Sequence, residues 1–389
     1  MKALRKLLDN IKPHVSKGGR FEKLHSTFDA FETLLFVPNH TNKNGVHVRD
    51  YADMKRTMII VVLALVPTLL FGIWNTGHQH FLALGEVATF WDAFLHGLVR
   101  VMPLIVVSYG TGLGIEFIVA QIRGHEVNEG FLVSGMLIPL ILPVDVPLWM
   151  VVLATAFAVI LGKEIFGGTG MNIWNPALLA RAFLFFAYPA QMSGDLVWIS
   201  GLDEMGAQIA DGFSGATALG AAVLGESDKY SLIDSFLGFL PGSIGETSTL
   251  AILLGAVFLI FTGVGNWKII LSVFVGGFFM GWVFNVFGAE STNGLMHISA
   301  IQHLTLGGFA FGAVFMATDT VSASRTESGK WIYGFLIGVF AILIRVFNPA
   351  YPEGMMLAIL LLNTFAPLID YFVVDRNIKR RLKRSVVKA

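Results

Sequence analysis

The side chains able to do chemistry in this chain form two sets. The first is the run Asp211-Gly212-Phe213-Ser214-Gly215-Ala216-Thr217. Small neighbours leave the Thr217 hydroxyl open to a modifying enzyme's active site, and Asp211 and Ser214 could orient the backbone or hold a metal during a transfer reaction. A solvated Ser/Thr/Gly turn has the same composition, so the run alone leaves both readings open. The second set is ionisable: Glu116, inside Gly112-Leu113-Gly114-Ile115-Glu116, then Arg181 and Asp370, all within apolar stretches. A charge at membrane depth costs on the order of 3 kcal/mol to keep, so such residues are functional candidates. Glu116 and Arg181 could equally form a structural pair, with Asp370 reaching to the interface; the alternative is carboxylates beside the path of a hard cation, which prefers oxygen ligands. The chain has no cysteine. Disulfides and thiolate-ligated metals or iron–sulfur clusters are therefore absent from it, and any electrons it handles must use an organic cofactor.

The elements that carry these residues are set by composition. Of 389 residues, 54% are hydrophobic and only 14% charged, against roughly a quarter charged in soluble domains. Segments of about 20 apolar residues, enough to cross roughly 30 Å of hydrocarbon, are expected at Thr57–Trp74, Ala93–Ile118, Phe131–Pro143, Trp149–Ile165, Pro176–Tyr188, Thr249–Thr262, Trp267–Phe287, Thr305–Ala317, Trp331–Phe347 and Met355–Val373, the third and eighth being short. This predicts an all-α integral membrane protein of about ten transmembrane helices. Basic residues mark the cytoplasmic side. Met1–Arg56 holds eleven Lys or Arg and Arg376–Lys388 seven, which puts both termini inside. The acidic segment Ala190–Thr247, with Lys229 as its one basic residue, falls outside. Arg100 and Arg345 do not fit, each lying in the outer half of a span. The expected organisation is a cytoplasmic extension over 1–56, a first five-helix repeat over 57–189, an outer loop over 190–247, a second repeat over 248–373 and a basic cytoplasmic tail over 374–389. Balanced charge, 27 basic against 27 acidic residues, gives no reason to expect nucleic acid.

Two five-helix halves must run in opposite directions, because five is odd. Asn175-Pro176-Ala177 opens the fifth span and Asn348-Pro349-Ala350 precedes the tenth; Asn and Pro suit a helix start. The third and eighth spans are both broken by glycine, at Gly130-Phe131-Leu132-Val133-Ser134-Gly135 and Gly307-Gly308-Phe309-Ala310-Phe311-Gly312. Paired broken segments at matching positions are the sequence pointer to a mid-depth site or path in inverted-repeat transporters.

The Thr217 run resembles the site at which FMN is esterified through its phosphate to threonine in one family, the membrane subunits of the sodium-translocating NADH:quinone oxidoreductase and of the related Rnf complex. The resemblance extends through Gly18-Gly19-Arg20-Phe21-Glu22-Lys23-Leu24, Phe36-Val37-Pro38-Asn39-His40-Thr41, Gly124-His125-Glu126-Val127-Asn128-Glu129-Gly130-Phe131, Gly162-Lys163-Glu164-Ile165-Phe166-Gly167-Gly168-Thr169-Gly170 and Arg181-Ala182-Phe183-Leu184-Phe185-Phe186-Ala187-Tyr188-Pro189. The long basic N-terminal extension looks like that of the family's quinone-enzyme branch rather than its Rnf counterpart. The resemblance implies FMN covalently held at Thr217, a second, noncovalent flavin (riboflavin), ubiquinone reduction and coupled sodium transport in a bacterial inner membrane. It implies partners too: an NADH-oxidising flavin and iron–sulfur subunit, a second FMN-carrying subunit and small membrane subunits. No Gly-rich strand–turn–helix unit for a nicotinamide is present here, so NADH oxidation is expected on a partner.

Within that frame, Gly112, Glu129, Phe131, Phe183 and Phe185 are expected at a common depth in the inner half of the membrane, where an aromatic pocket suits a quinone head. Asn172 and Asn175 could hydrogen-bond a flavin ring edge or merely cap a helix. Glu116 and Asp370 are placed at approaches to a sodium path between the short spans. A passive inverted-repeat channel of the urea or water type, with the Thr217 run incidental, is the competing reading.

Overall fold

The computed structural model describes residues 2–15, 28, 32–33, 35–36, 42, 44–48, 53–123, 130–202, 214–226, 229–288, 290–348 and 354–386. Asp211, Glu129, Pro349 and Ala350 lie outside the described residues. All regular structure among those described is helical. We number α1 Lys2–Val15, α2 Met54–Ala83, α3 Phe90–Arg123, α4 Phe131–Leu140, α5 Leu148–Val159, α6 Pro176–Ala187, α7 Ala218–Val223, α8 Leu232–Leu237, α9 Thr249–Phe261, α10 Trp267–Phe287, α11 Ala300–Thr305, α12 Phe309–Phe311, α13 Glu327–Phe347 and α14 Met355–Val386. Wider π turns extend α5 over Ile160–Glu164 and α12 over Gly312–Met316.

Five helices are long and apolar enough to cross a bilayer: α2, α3, α10, α13 and α14, the last counted over Met355–Arg384. This is a multi-pass membrane protein. Helices α4, α6 and α9 are shorter apolar segments; at 1.5 Å per residue α4 covers only about 15 Å, roughly half a bilayer. Starts are set by side chains that occupy free amides. Asp53 accepts from Arg56 N (3.1 Å), Asn175 from Ala177 N (2.9 Å), Asn266 from Lys268 N (3.1 Å) and Thr326 from Gly329 N (3.2 Å). Asn348 instead ends α13, as its C-cap.

Several boundaries differ from the sequence expectation, and three of the differences bear on the site. Helix α2 continues nine residues past Trp74, because Asn75, Thr76 and Gln79 are buried against protein rather than lipid, Asn75 donating to the Leu240 carbonyl (3.1 Å). Hydropathy cannot tell a polar residue satisfied inside a bundle from one in water. Helix α14 runs on through the basic tail to Val386. Finally, the end of the acidic segment expected as an outer loop does not stay at the surface. Leu240, Ile244 and Glu246 are buried, and Gly245 N donates to the Leu140 carbonyl at 2.7 Å, just where α4 stops.

Glycines set the tightest helix crossings, as membrane packing without a hydrophobic drive requires. Gly77 and Gly97 let α2 and α3 approach backbone to backbone, and Gly276 and Gly338 do the same for α10 and α13. A Cβ on Gly338 would overlap the Val273 carbonyl, whereas one on Gly114 meets nothing within 4 Å. Gly338→Val is expected to cost about 1–3 kcal/mol or more and to lower the thermal midpoint of the solubilised protein; Gly114→Ala should leave the midpoint unchanged or slightly raised. Equal midpoints for the two variants would contradict the packing.

Candidate functional site

Thr217 is the N-cap of α7, and its Oγ1 accepts from Gly220 N at 3.1 Å. The capping bond uses a lone pair of the oxygen and leaves the O–H hydrogen to be replaced, so esterification would not cost the helix its cap. The residue is half-buried, and Gly215 beside it packs so tightly on the Asp195 carbonyl that a Cβ would overlap it. Ser214 is exposed and accepts from Ala216 N (3.3 Å). Thr217 opens on a cavity of about 20 Å³ shared with Leu240, Ser243, Glu246, Thr247 and Gly307, room for one water-sized occupant; it is named the outer cavity, and its counterpart below the inner one, after the sidedness expected from the sequence.

A second, inner cavity, of about 100 Å³, holds Gly130, Ser134 and Leu137 of the α4 region, Lys163, Thr169, Asn172 and Asn175 ahead of α6, and Phe315, Thr318 and Asp319 after α12. The two predicted asparagines therefore do share a site. Asn175 spends its oxygen on the α6 cap, and Asn172 Nδ2 donates to the Trp174 carbonyl (2.9 Å), which leaves Asn172 Oδ1 and Asn175 Nδ2 for a ligand. Lys163 and Asp319 are site residues that sequence reasoning passed over. Lys163 stood out only as part of a run shared with the family, and Asp319 lies just after the expected eighth span. Burial pushes the Asp319 carboxyl above its ordinary range, opposed by bonds from the Ser322 hydroxyl (2.7 Å) and Val321 N (3.2 Å).

The two cavities are joined by the two short helices, which run antiparallel. Helix α4 leaves the inner cavity at Gly130 and ends at Leu140, bonded to Gly245 next to Glu246 of the outer cavity. The α12 segment leaves the outer cavity at Gly307 and reaches the inner one at Phe315 and Thr318. Ile138, Leu140, Phe311 and Val314 on these helices are fully buried and apolar.

The buried charges pair differently from the sequence expectation. Glu116 does not meet Arg181. Its carboxylate pairs with Lys163 Nζ, both side chains nearly enclosed, while its second oxygen, Oε2, has no partner among the described residues. Arg181, 1% exposed, lies beside the outer cavity; its Nη1 donates to both Glu246 oxygens (3.2 Å), to Ser243 Oγ (3.3 Å) and to the Ile141 carbonyl. The mispairing follows from assigning Glu246 to a solvated loop. Arg345, which did not fit the charge rule, is fully buried and donates to the carbonyls of His303 (2.7 Å) and Leu306 (3.0 Å). Asp370 accepts from Ser324 Oγ (2.7 Å), Arg325 N (2.8 Å), Thr326 N (3.0 Å) and Thr326 Oγ1 (2.6 Å), holding the turn that starts α13.

The aromatic set does not gather at one depth. Gly112 faces Phe131 so closely that a Cβ would overlap the ring, and Phe131 is buried beside the inner cavity. Phe183 instead stacks on Phe157 (4.3 Å between centroids) and Phe185 lies against Phe186 (5.6 Å). Helix α6 starts at the inner cavity, so at 1.5 Å per residue Phe183 and Phe185 sit roughly 10–14 Å farther along it, toward the Trp149–Tyr188 contact.

A multi-pass helical membrane protein with antiparallel broken helices between two cavities, and a helix-capping threonine at one of them, is the class these features define. The chain belongs to the NQR2, RnfD, RnfE family, which matches residues 41–379. It is 48% identical to the Na(+)-translocating NADH-quinone reductase B subunit of Chromohalobacter salexigens, over 98% of this chain and 97% of that protein. It is also 48% identical to the same-named protein of Pseudomonas paraeruginosa, over 98% and 99%, and 47% identical to that of Stutzerimonas stutzeri, over 98% and 100%.

Removing one partner of a buried pair leaves an uncompensated charge, which costs about 3–5 kcal/mol, whereas replacing both is close to neutral. Lys163→Met should therefore lower the stability of the solubilised protein sharply, and Lys163→Met with Glu116→Leu should recover most of the loss. A double variant as unstable as the single one would show that the pair is not what Lys163 supplies.

Proposed function

We propose that this chain is the membrane subunit of a redox-driven sodium pump, the Na(+)-translocating NADH-quinone reductase, and that it carries FMN on Thr217 and passes electrons to ubiquinone. Full-length similarity to proteins of that name supports the first part. The observation that carries the second is Thr217 itself: a half-exposed hydroxyl whose oxygen already caps a helix, among small residues, at the mouth of a cavity. Bound FMN supplies one- and two-electron redox chemistry. The chain's residues hold and orient: α7 fixes the threonine, and Gly215 keeps the approach to it narrow.

The inner cavity is proposed for riboflavin, with Asn172 and Asn175 offering an acceptor and a donor. Gly112 and Phe131, with Glu129, are proposed for the quinone, and Phe183 and Phe185 for a separate part of that path. Sodium is proposed to cross between the cavities along the two short helices, as two inverted five-helix repeats would arrange them, with Glu116 and Asp370 at the inner approach. The apolar residues of those helices would hold back ions between redox events. Asp211 and Ser214 are proposed to position the Thr217 turn during flavin transfer. Both termini are proposed to be cytoplasmic, in the bacterial inner membrane, with NADH oxidised on a partner subunit and further flavin-carrying and small membrane subunits completing the complex.

Thr217→Ala should abolish in-gel flavin fluorescence at this subunit's mass after denaturation while the protein still reaches the membrane. Fluorescence retained in the variant would overturn the attachment site.

A further inference from the structure

We propose that Glu246, Ser243 and Thr247 form a binding site for a desolvated monovalent cation, Na⁺ above all, in the cavity beside Thr217, and that Arg181 is the counter-charge that holds Glu246 when the cation is absent. This rests on the ion-pump reading and names where the cation stops on the outer side. All three side chains are nearly buried, at 3%, 2% and 4% exposed, and they line one cavity with room for a single water-sized occupant. The donor set is oxygen only, which is what a hard cation takes.

Thr247 points to the ligand independently. Its Oγ1 is buried with no hydrogen-bond partner among the described residues. Leaving a buried hydroxyl unsatisfied is destabilising, and valine would fill the same space without that cost. A threonine kept there gains its partner when the cavity is occupied.

Arg181 is built to let go of Glu246 without being stranded. It also donates to Ser243 Oγ (3.3 Å) and the Ile141 carbonyl, and the end of a helix offers partial negative charge to a cation. Glu246 presses on the other broken segment, where a Cβ on Gly308 would stand 2.7 Å from its Oε1. The ion pair thus ties the end of α4 to the start of the α12 segment, and a cation that takes Glu246 from Arg181 loosens that tie. A guanidinium left nearby repels the bound cation, so the site holds it weakly enough to release it. A phosphate on Thr217, at the rim of the same cavity, would offset that positive charge.

The test uses the purified, fully assembled complex and reads two quantities: the Na⁺ concentration for half-maximal quinone reduction, and the shift of the thermal midpoint in NaCl relative to choline chloride. Thr247→Val should raise the half-maximal Na⁺ concentration by about tenfold, the equivalent of ~1.4 kcal/mol, and shrink the Na⁺-specific thermal shift, with its midpoint in choline chloride unchanged or higher. Glu246→Gln should do the same more strongly where it assembles. A wild-type complex that responds to Na⁺ while Thr247→Val keeps both wild-type values would overturn this site and leave the pump reading standing. A wild-type complex indifferent to Na⁺ in both readouts would overturn the pump reading and this site with it.

Discussion

A helix that stops inside a membrane leaves carbonyl groups with no water to accept from, and each such group costs several kcal/mol unless the protein supplies a donor. Two segments of this chain stop in that way, α4 at Leu140 and α11 ahead of Gly307, and their free carbonyls are answered by protein. Gly245 N donates to Leu140, Arg181 to Ile141, and Arg345 to His303 and Leu306. Two fully buried arginines are therefore spent on backbone at the helix breaks. Arginine suits this use because it stays charged and offers five donors in a fixed fork. Each positive charge needs company in turn. For Arg181 this is Glu246, which draws the end of the outer loop into the bundle and places it beside Thr217.

That one requirement links the Thr217 turn to the two short helices. The short helices connect an inner cavity, set between Asn175 and Asp319, to an outer one set between Thr217 and Glu246. Because they run antiparallel, each cavity is bounded by the start of one and the end of the other. Opposite helix ends carry opposite partial charges, so both cavities can attract a cation at a carbonyl end and hold an anion near an amide end. The two cavities lie on either side of a buried apolar segment formed by Ile138, Leu140, Phe311 and Val314.

Much of this architecture is written in local chemistry. Asn175-Pro176 places a cap and a pre-set first turn, and α6 begins there. Gly307-Gly308 forbids an unbroken eighth span, and the structure breaks there, Gly307 taking the left-handed backbone that glycine alone adopts readily (φ +62°). Thr217 stood out in the sequence only through the family resemblance; the composition of its run fits a plain Ser/Thr/Gly turn equally well, and in the structure the residue caps α7. Long-range pairing was not legible. Glu116 chooses Lys163 over Arg181 because the π turn at Ile160–Glu164 turns the lysine inward, and Glu246 counts as a loop residue until the loop is seen to dip. The aromatic set misled for a simpler reason: Phe is frequent here, and the rise of α6 carries Phe183 away from Phe131.

If the short helices lead across the membrane, the inner and outer cavities open to its opposite sides. The absence of cysteine makes this directly measurable with single-cysteine variants. Thr169→Cys reports the inner cavity and Gly242→Cys the outer one, each exposed to a membrane-impermeant thiol reagent in right-side-out and inverted vesicles. Thr169→Cys should be labelled only from the face that holds the basic tail, and Gly242→Cys only from the other. Labelling of both from the same face would mean that the short helices do not lead across the membrane, and would contradict the account.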